Sequence, residues 1–150
     1  MLRDYRRVLY LDIDCHHGDG VEEAFYSTNR VMTVSFHQYG EGFFPNSGHV
    51  NSKGAGIGKN YALNIPLKPG IFDENYHAIF KPVMKMVMQI YNPEVIVLQS
   101  GADSSAYDLI GEFNLSSIAH GEAVNFMLAY NLPTILLGGG GYNLKNVAKL

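Results

Sequence analysis

Three aspartates and two histidines crowd the stretch Leu11-Asp12-Ile13-Asp14-Cys15-His16-His17-Gly18-Asp19-Gly20. A hydrophobic core has no use for such a set, because buried ionisable groups cost free energy unless paired. The preceding Arg7-Val8-Leu9-Tyr10 reads as a buried strand. Side chains alternate along a strand, which predicts Asp12, Asp14 and His16 on one face and Ile13 and Cys15 on the other. Carboxylate oxygen and imidazole nitrogen are both zinc ligands, and three protein ligands with one open position mark a catalytic site. Asp14 and His16 supply two. Asp103 is the candidate third, because it directly follows the apolar run Val95 to Leu98. Alone, a strand-end aspartate is more often a helix cap or loop acceptor. Beside an Asp-x-His pair it completes a set that suits metal-assisted hydrolysis. Tyr142 follows four glycines, and a tyrosine hydroxyl there could donate to a developing oxyanion. The plainer reading is a packed aromatic on a tight turn. No Lys-Ser/Thr follows the glycines, so they are not a phosphate loop of the usual kind.

Those residues need elements that bring them to one place. Strands are predicted at Val8–Asp14, Val31–His37, Tyr61–Leu67, Val95–Leu98 and Thr134–Leu137. Helices are predicted between them. The first is capped by Asp19 and carries Val21, Ala24 and Phe25 inward. The second starts at Asp73 as N-cap, with Tyr76, Ile79, Phe80, Val83, Val87 and Ile90 inward, and is kinked or split by Pro82 near Lys81. The third is capped by Ser116 or Ser117, with Ile118, Val124, Met127 and Leu128 inward. The last starts near Asn143 and runs to Leu150. Alternating strand and helix with strands apolar on both faces predicts a parallel α/β sheet flanked by helices. Ligands of such sheets bind at the carboxyl ends of the strands, where the Asp/His cluster, Asp103 and the Tyr142 turn all fall. Residues 39–60 form a long glycine-rich loop holding Phe43-Phe44-Pro45. A loop that long is commonly functional, and the aromatic pair suggests a binding wall.

Composition bounds the rest. The 150 residues are 47% hydrophobic and 17% charged, which describes a globular domain rather than a disordered chain. A net charge of -3 gives no sign of direct nucleic-acid binding. The single cysteine cannot form an internal disulfide. No apolar run is long enough to cross a bilayer.

Taken together, LDIDCHHGDGVEEAFY, RVMTVSFH, FKPVM, VIVLQSGAD and LPTILLGGGGYN resemble the C-terminal part of a class I histone deacetylase catalytic domain. The resemblance covers nearly all of the chain. It implies an arginase/deacetylase α/β fold and zinc-dependent removal of acetyl groups from lysine side chains of histones or other proteins. It carries Zn2+ ligation onto Asp14, His16 and Asp103 and the transition-state hydroxyl onto Tyr142. It implies one K+ site at Asp12, Ser35 and Phe36 with backbone oxygens of Asp14 and His16. A second K+ site falls at Phe25, Thr28, Val31 and Tyr61. Phe44 and Gly140 would line the acetyl-lysine tunnel, with Ile110 at its rim. Asp12 and Asp19 resemble carboxylates that orient a catalytic His-His pair, and that pair is not in this segment. Residues 1–150 therefore read as a partial catalytic domain, lacking an N-terminal portion and the C-terminal end and weakly active alone. Nuclear location, with the cytoplasm as a further site, and a co-repressor complex are also implied. Leu109 and Lys145 stand where many co-repressor-bound relatives have arginines that help hold an inositol phosphate. Ser104-Ser105-Ala106-Tyr107 also departs from the usual pattern.

Two other readings compete. A binuclear-metal ureohydrolase of the same fold would need carboxylates where this chain has Gly18 and Ser105. A non-catalytic partner-binding remnant would fit the missing histidine pair but not the retained ligands and Tyr142.

Overall fold

The computed structural model describes residues 1–150. Five strands form one sheet: β1 (Val8–Asp12), β2 (Val31–Gln38), β3 (Ala62–Leu67), β4 (Val95–Gln99) and β5 (Thr134–Leu137). Their spatial order is β3-β2-β1-β4-β5, and every pairing is parallel. The chain therefore winds outward from β1 through β2 to β3, then returns to the other side of β1 for β4 and β5. The reversal lies between β1 and β4, and it opens a crevice beyond their carboxyl ends.

Four helices connect or follow the strands: α1 (Asp19–Phe25), α2 (Asp73–Tyr91), α3 (Ser117–Leu128) and α4 (Leu144–Val147). One main core of buried apolar residues joins Leu9, Leu11, Val34, Phe36, Ile96 and Leu98 of the sheet to α2 and α3. The opposite sheet face carries a small cluster of Val8, Val31 and Val95 packed with Tyr5, Tyr10 and Phe25. No helix is long and apolar enough to cross a membrane.

α2 runs unbroken for 19 residues with Pro82 inside it, so the predicted split at Lys81 does not occur. Proline removes one backbone donor, but buried anchors hold the helix on both sides of it. Tyr76 and Phe80 precede it, and Met84, Val87, Met88 and Tyr91 follow. Tyr76, Phe80 and Val87 face inward as predicted, but Ile79 and Ile90 face outward, and Met84, Met88 and Tyr91 complete the buried stripe. α3 is capped by Ser116, whose hydroxyl accepts from the Ala119 N–H. It turns Ala119, His120, Ala123 and Met127 inward and leaves Ile118 and Leu128 exposed, because small residues allow close approach to α2.

Two predicted caps move by one place. Asp19 and Asp73 are the first helical residues, following Gly18 and Phe72. The Asp73 carboxylate instead accepts from the Ser116 N–H at 2.8 Å and ties the starts of α2 and α3 together. α4 is a single turn ending at Val147, short of the predicted Leu150.

Candidate metal centre

β1 ends at Asp12, two residues sooner than its sequence predicts, so strand alternation does not place Asp14 and His16. Side-chain turns do. Asp12 Oδ1 accepts from the Asp14 N–H at 3.0 Å, and Asp14 Oδ1 accepts from the His16 N–H at 2.8 Å. Aspartates fold a chain locally in this way. The two turns bring Asp14 and His16 together over the crevice and leave Asp12 behind them.

Asp103 arrives from the short 3₁₀ turn after β4. His16 Nδ1 then lies 3.2 Å from Asp14 Oδ1 and 2.9 Å from Asp103 Oδ2. Tetrahedral zinc with ligands at about 2.0–2.1 Å needs donor atoms roughly 3.3 Å apart, so this N-O-O set fits one such cation. Each carboxylate is aimed through its other oxygen. Asp14 Oδ2 accepts from Gln99 Nε2 at 2.9 Å and from the Gly140 N–H at 2.8 Å. Asp103 Oδ1 accepts from the Cys15 N–H at 2.9 Å. Glycines make room: a Cβ on Gly101 would sit 2.2 Å from Asp14 Oδ2, and one on Gly140 would sit 2.1 Å from Asp103 Oδ2.

The two carboxylates gather negative charge around His16. Burial works to raise the Asp14 carboxyl, but hydrogen bonds from His16, Asp103 and Gln99 outweigh it and hold it below the ordinary carboxylate range. Asp103 is raised, first by burial and then by the nearby Asp14. The hydrogen bonds to Asp103 and Asp14 push His16 up to about 9. Burial and then the Asp14 charge push Asp12 up to about 7.

An aromatic wall surrounds His16. Phe43 stacks on it with ring centroids 5.1 Å apart and planes 7° from parallel. Phe44 and Tyr142 stand edge-on at 6.0 and 6.2 Å. Phe44 is 72% exposed and Tyr142 44%, so both border an open approach. Asp108 holds the Tyr142 backbone, accepting its N–H at 2.8 Å. Ile110 is half exposed beside this region, in the segment whose N–H groups Asp108 also accepts.

The remaining predicted residues lie further back. Asp12 is buried and accepts from the Tyr10 hydroxyl at 2.9 Å. Asp19 takes only the adjacent Gly20 N–H, and neither carboxylate touches a histidine. Ser35 Oγ contacts His37 Nδ1 and accepts the Gly18 N–H. Phe36 fills the core with its ring. Phe25, Thr28, Val31 and Tyr61 sit toward the other end of the sheet, where the Tyr61 carbonyl accepts from Thr33 and the Phe25 carbonyl from Thr28. A groove of about 1130 Å³ opens there as well, far from the ligand set, so size alone does not mark the site.

Sequence reasoning passed over two neighbours of the centre. Gln99 orients Asp14, and Cys15 places its Sγ 3.3 Å from His16 Nδ1. The Cys15 side chain is fully buried, and burial first, then Asp103 and Asp14, push its thiol far up. It is packed against the centre as a neutral group.

The histone deacetylase domain model matches residues 1–150. The chain belongs to the histone deacetylase family. It is 58% identical to histone deacetylase 19 of Arabidopsis thaliana over 149 residues, 99% of this chain and 30% of that protein. It is 57% identical to human histone deacetylase 1 over 149 residues, 99% of this chain and 31% of that protein. It is 55% identical to histone deacetylase clr6 of Schizosaccharomyces pombe over 150 residues, the whole chain and 37% of that protein. The chain thus spans about a third of the length of these relatives. The five-stranded parallel sheet with flanking helices agrees with the fold class that the family resemblance implies.

Proposed function

We propose that this chain forms the metal-binding part of a zinc-dependent lysine deacetylase site, acting on acetyl-lysine of histones or other proteins. The observation that carries the reading is the convergence of Asp14, His16 and Asp103 beneath an aromatic wall that includes Tyr142. Asp14, His16 and Asp103 would hold the zinc. A bound zinc ion polarises an amide carbonyl and makes water a stronger nucleophile. Tyr142 donates its hydroxyl proton as a hydrogen bond to the oxygen on which charge gathers. Phe43 and Phe44 flank the acyl-lysine stem and keep water from its sides. Gln99 and Gly140 fix the direction of the Asp14 carboxylate. A binuclear arrangement has no support, because Gly18 and Ser105 offer no carboxylate and Ser105 Oγ donates to the Ala102 carbonyl.

Acetylated histones as substrates, assembly with a co-repressor, nuclear location and structural K+ sites belong to the same reading. Their support is the family membership alone.

The test is Tyr142→Phe assayed on acetyl-lysine peptides against the parent protein with zinc content matched. Loss of one oxyanion donor should cost about 10²–10³ in kcat with little change in KM. A variant that turns over normally, or loses only KM, rejects the role.

A further inference from the structure

α1 buries only one of its residues, and that residue is a glutamate. A buried carboxylate is costly unless it has partners, so Glu22 needs an explanation that packing does not supply. Its partners form a chain. Glu22 Oε2 accepts from His17 Nε2 at 3.0 Å and from Asn64 Nδ2 at 2.7 Å. His17 Nδ1 bonds Ser47 Oγ at 2.8 Å, and Asn64 Nδ2 also donates to the Ser52 carbonyl at 3.1 Å. Beside them, His37 Nε2 donates to the Gly48 carbonyl at 2.9 Å. A carbonyl can only accept, so the His37 proton sits on Nε2 and Nδ1 accepts from Ser35 Oγ at 2.9 Å. The rings of His17 and His37 lie 4.7 Å apart. Gly48 closes over both: its φ is +89°, and a Cβ would fall 2.3 Å from His37 Nε2 and 2.7 Å from His17 Cγ.

Ser47, Gly48 and Ser52 are thus three fastenings on one loop. That loop begins with Phe43 and Phe44, the rings set against ligand His16. His17 is the residue next to that ligand. We propose that Glu22 is a positioning residue: through His17 and Asn64 it pins the 46–52 segment and so fixes the Phe43–Phe44 wall that grips the acyl-lysine stem. This rests on the deacetylase reading for the identity of what is gripped, but not for the pinning itself.

The amides of Phe43, Asn46 and Ser52 report on the loop, since each is hydrogen-bonded within it. Hydrogen exchange on the wild-type chain, Glu22→Leu, Glu22→Gln and Ser47→Ala would test the pinning. Glu22→Leu removes the acceptor and should speed exchange at these amides about tenfold or more while zinc content stays at the wild-type level. Glu22→Gln keeps an oxygen acceptor and should restore most of the protection. Ser47→Ala cuts one fastening from the loop side, without a buried charge to unfold the chain, and should loosen the same amides. With acetyl-lysine peptide as probe, the loosened variants should show a raised KM and a nearly unchanged kcat. Wild-type exchange in Ser47→Ala and Glu22→Leu would overturn the proposal. So would a Glu22→Gln variant as loose as Glu22→Leu. In an assay on the longer parent protein, failure of the wild type to cleave the peptide would overturn the deacetylase reading and leave the exchange result to decide the pinning.

Discussion

Asp14 is a candidate ligand whose aim depends on neighbours that would not themselves touch a metal. Gly101 and Gly140 leave just enough space for its carboxylate and that of Asp103. Asp103→Ala should remove most bound zinc, read by metal analysis of the dialysed protein; unchanged stoichiometry would sink the ligand assignment. Gly101→Ala should weaken zinc about 10–100-fold although no ligand is altered, because its methyl displaces Asp14. Asp14, His16, Asp103 and Tyr142 could be picked out as candidates in the sequence because their donor chemistry is written in residue type, and the fold brings them together. The hydrogen bonds of Gln99 and the Gly140 N–H to Asp14, and the stacking of Phe43 on His16, were not, since hydrogen-bond direction and ring orientation have no signature in residue type. Two buried histidines add a pH dependence away from the ligands. Burial pushes His37 and His120 down to about 4. Each is depressed below the unfolded value near 6.5, so the unfolded chain binds more protons between those limits. Stability is full above about pH 6.5 and falls as pH drops toward 4, by an upper bound of about 3 kcal/mol per histidine. His120 lies against Ser104 Oγ at 2.6 Å, with Asp73 and Asp14 as the charges that oppose its depression. His120→Asn should flatten the slope of urea-unfolding stability between pH 4 and 6.5. An equal slope would show that His120 does not titrate there.

At the scale of elements, α2 is the member on which the main core depends. Phe80 is fully buried between Phe36 and Tyr76. Phe80→Ala should destabilise by about 3–5 kcal/mol in denaturant unfolding. Pro82 should behave in the opposite way. An interior proline costs a helix roughly 3 kcal/mol relative to alanine, and its stiffening of the unfolded chain returns about 1. Pro82→Ala should therefore raise stability by about 1–2 kcal/mol, and a lowered unfolding midpoint would mean that its ring packs better than this account allows. Element types were readable from periodicity, and all five strands lie where apolar runs predicted them. The faces of α2 and α3 were harder. Ile79, Ile90, Ile118 and Leu128 have the side chains of core residues, but helical phase is set by Tyr76, Phe80 and Met84 on one helix and by Ala119 and Ala123 on the other. Hydrophobicity alone cannot choose between two overlapping stripes.

For the whole molecule, strand–helix alternation gave the parallel sheet but could not give its order. Which side of β1 receives β4 depends on the handedness and packing of the crossovers, and on no single residue. That order decides more than where a ligand sits. β1 and β2 belong to the first part of the chain and β4 and β5 to the last, and they meet along one seam. His16 and Asp103, 87 residues apart in sequence, face each other across it. A cation shared between them is therefore a reversible crosslink that closes a long loop. By the chain-entropy reckoning used for disulfides, a closure of that length constrains the unfolded chain by on the order of 4–5 kcal/mol, if the bond were permanent. The chain should consequently melt earlier after chelation, and Asp103→Ala should melt at one temperature with or without chelator. If chelation leaves the wild-type midpoint where it was, the seam is held by the sheet alone. If it drops, the candidate metal centre is also the rivet between the two halves of the fold.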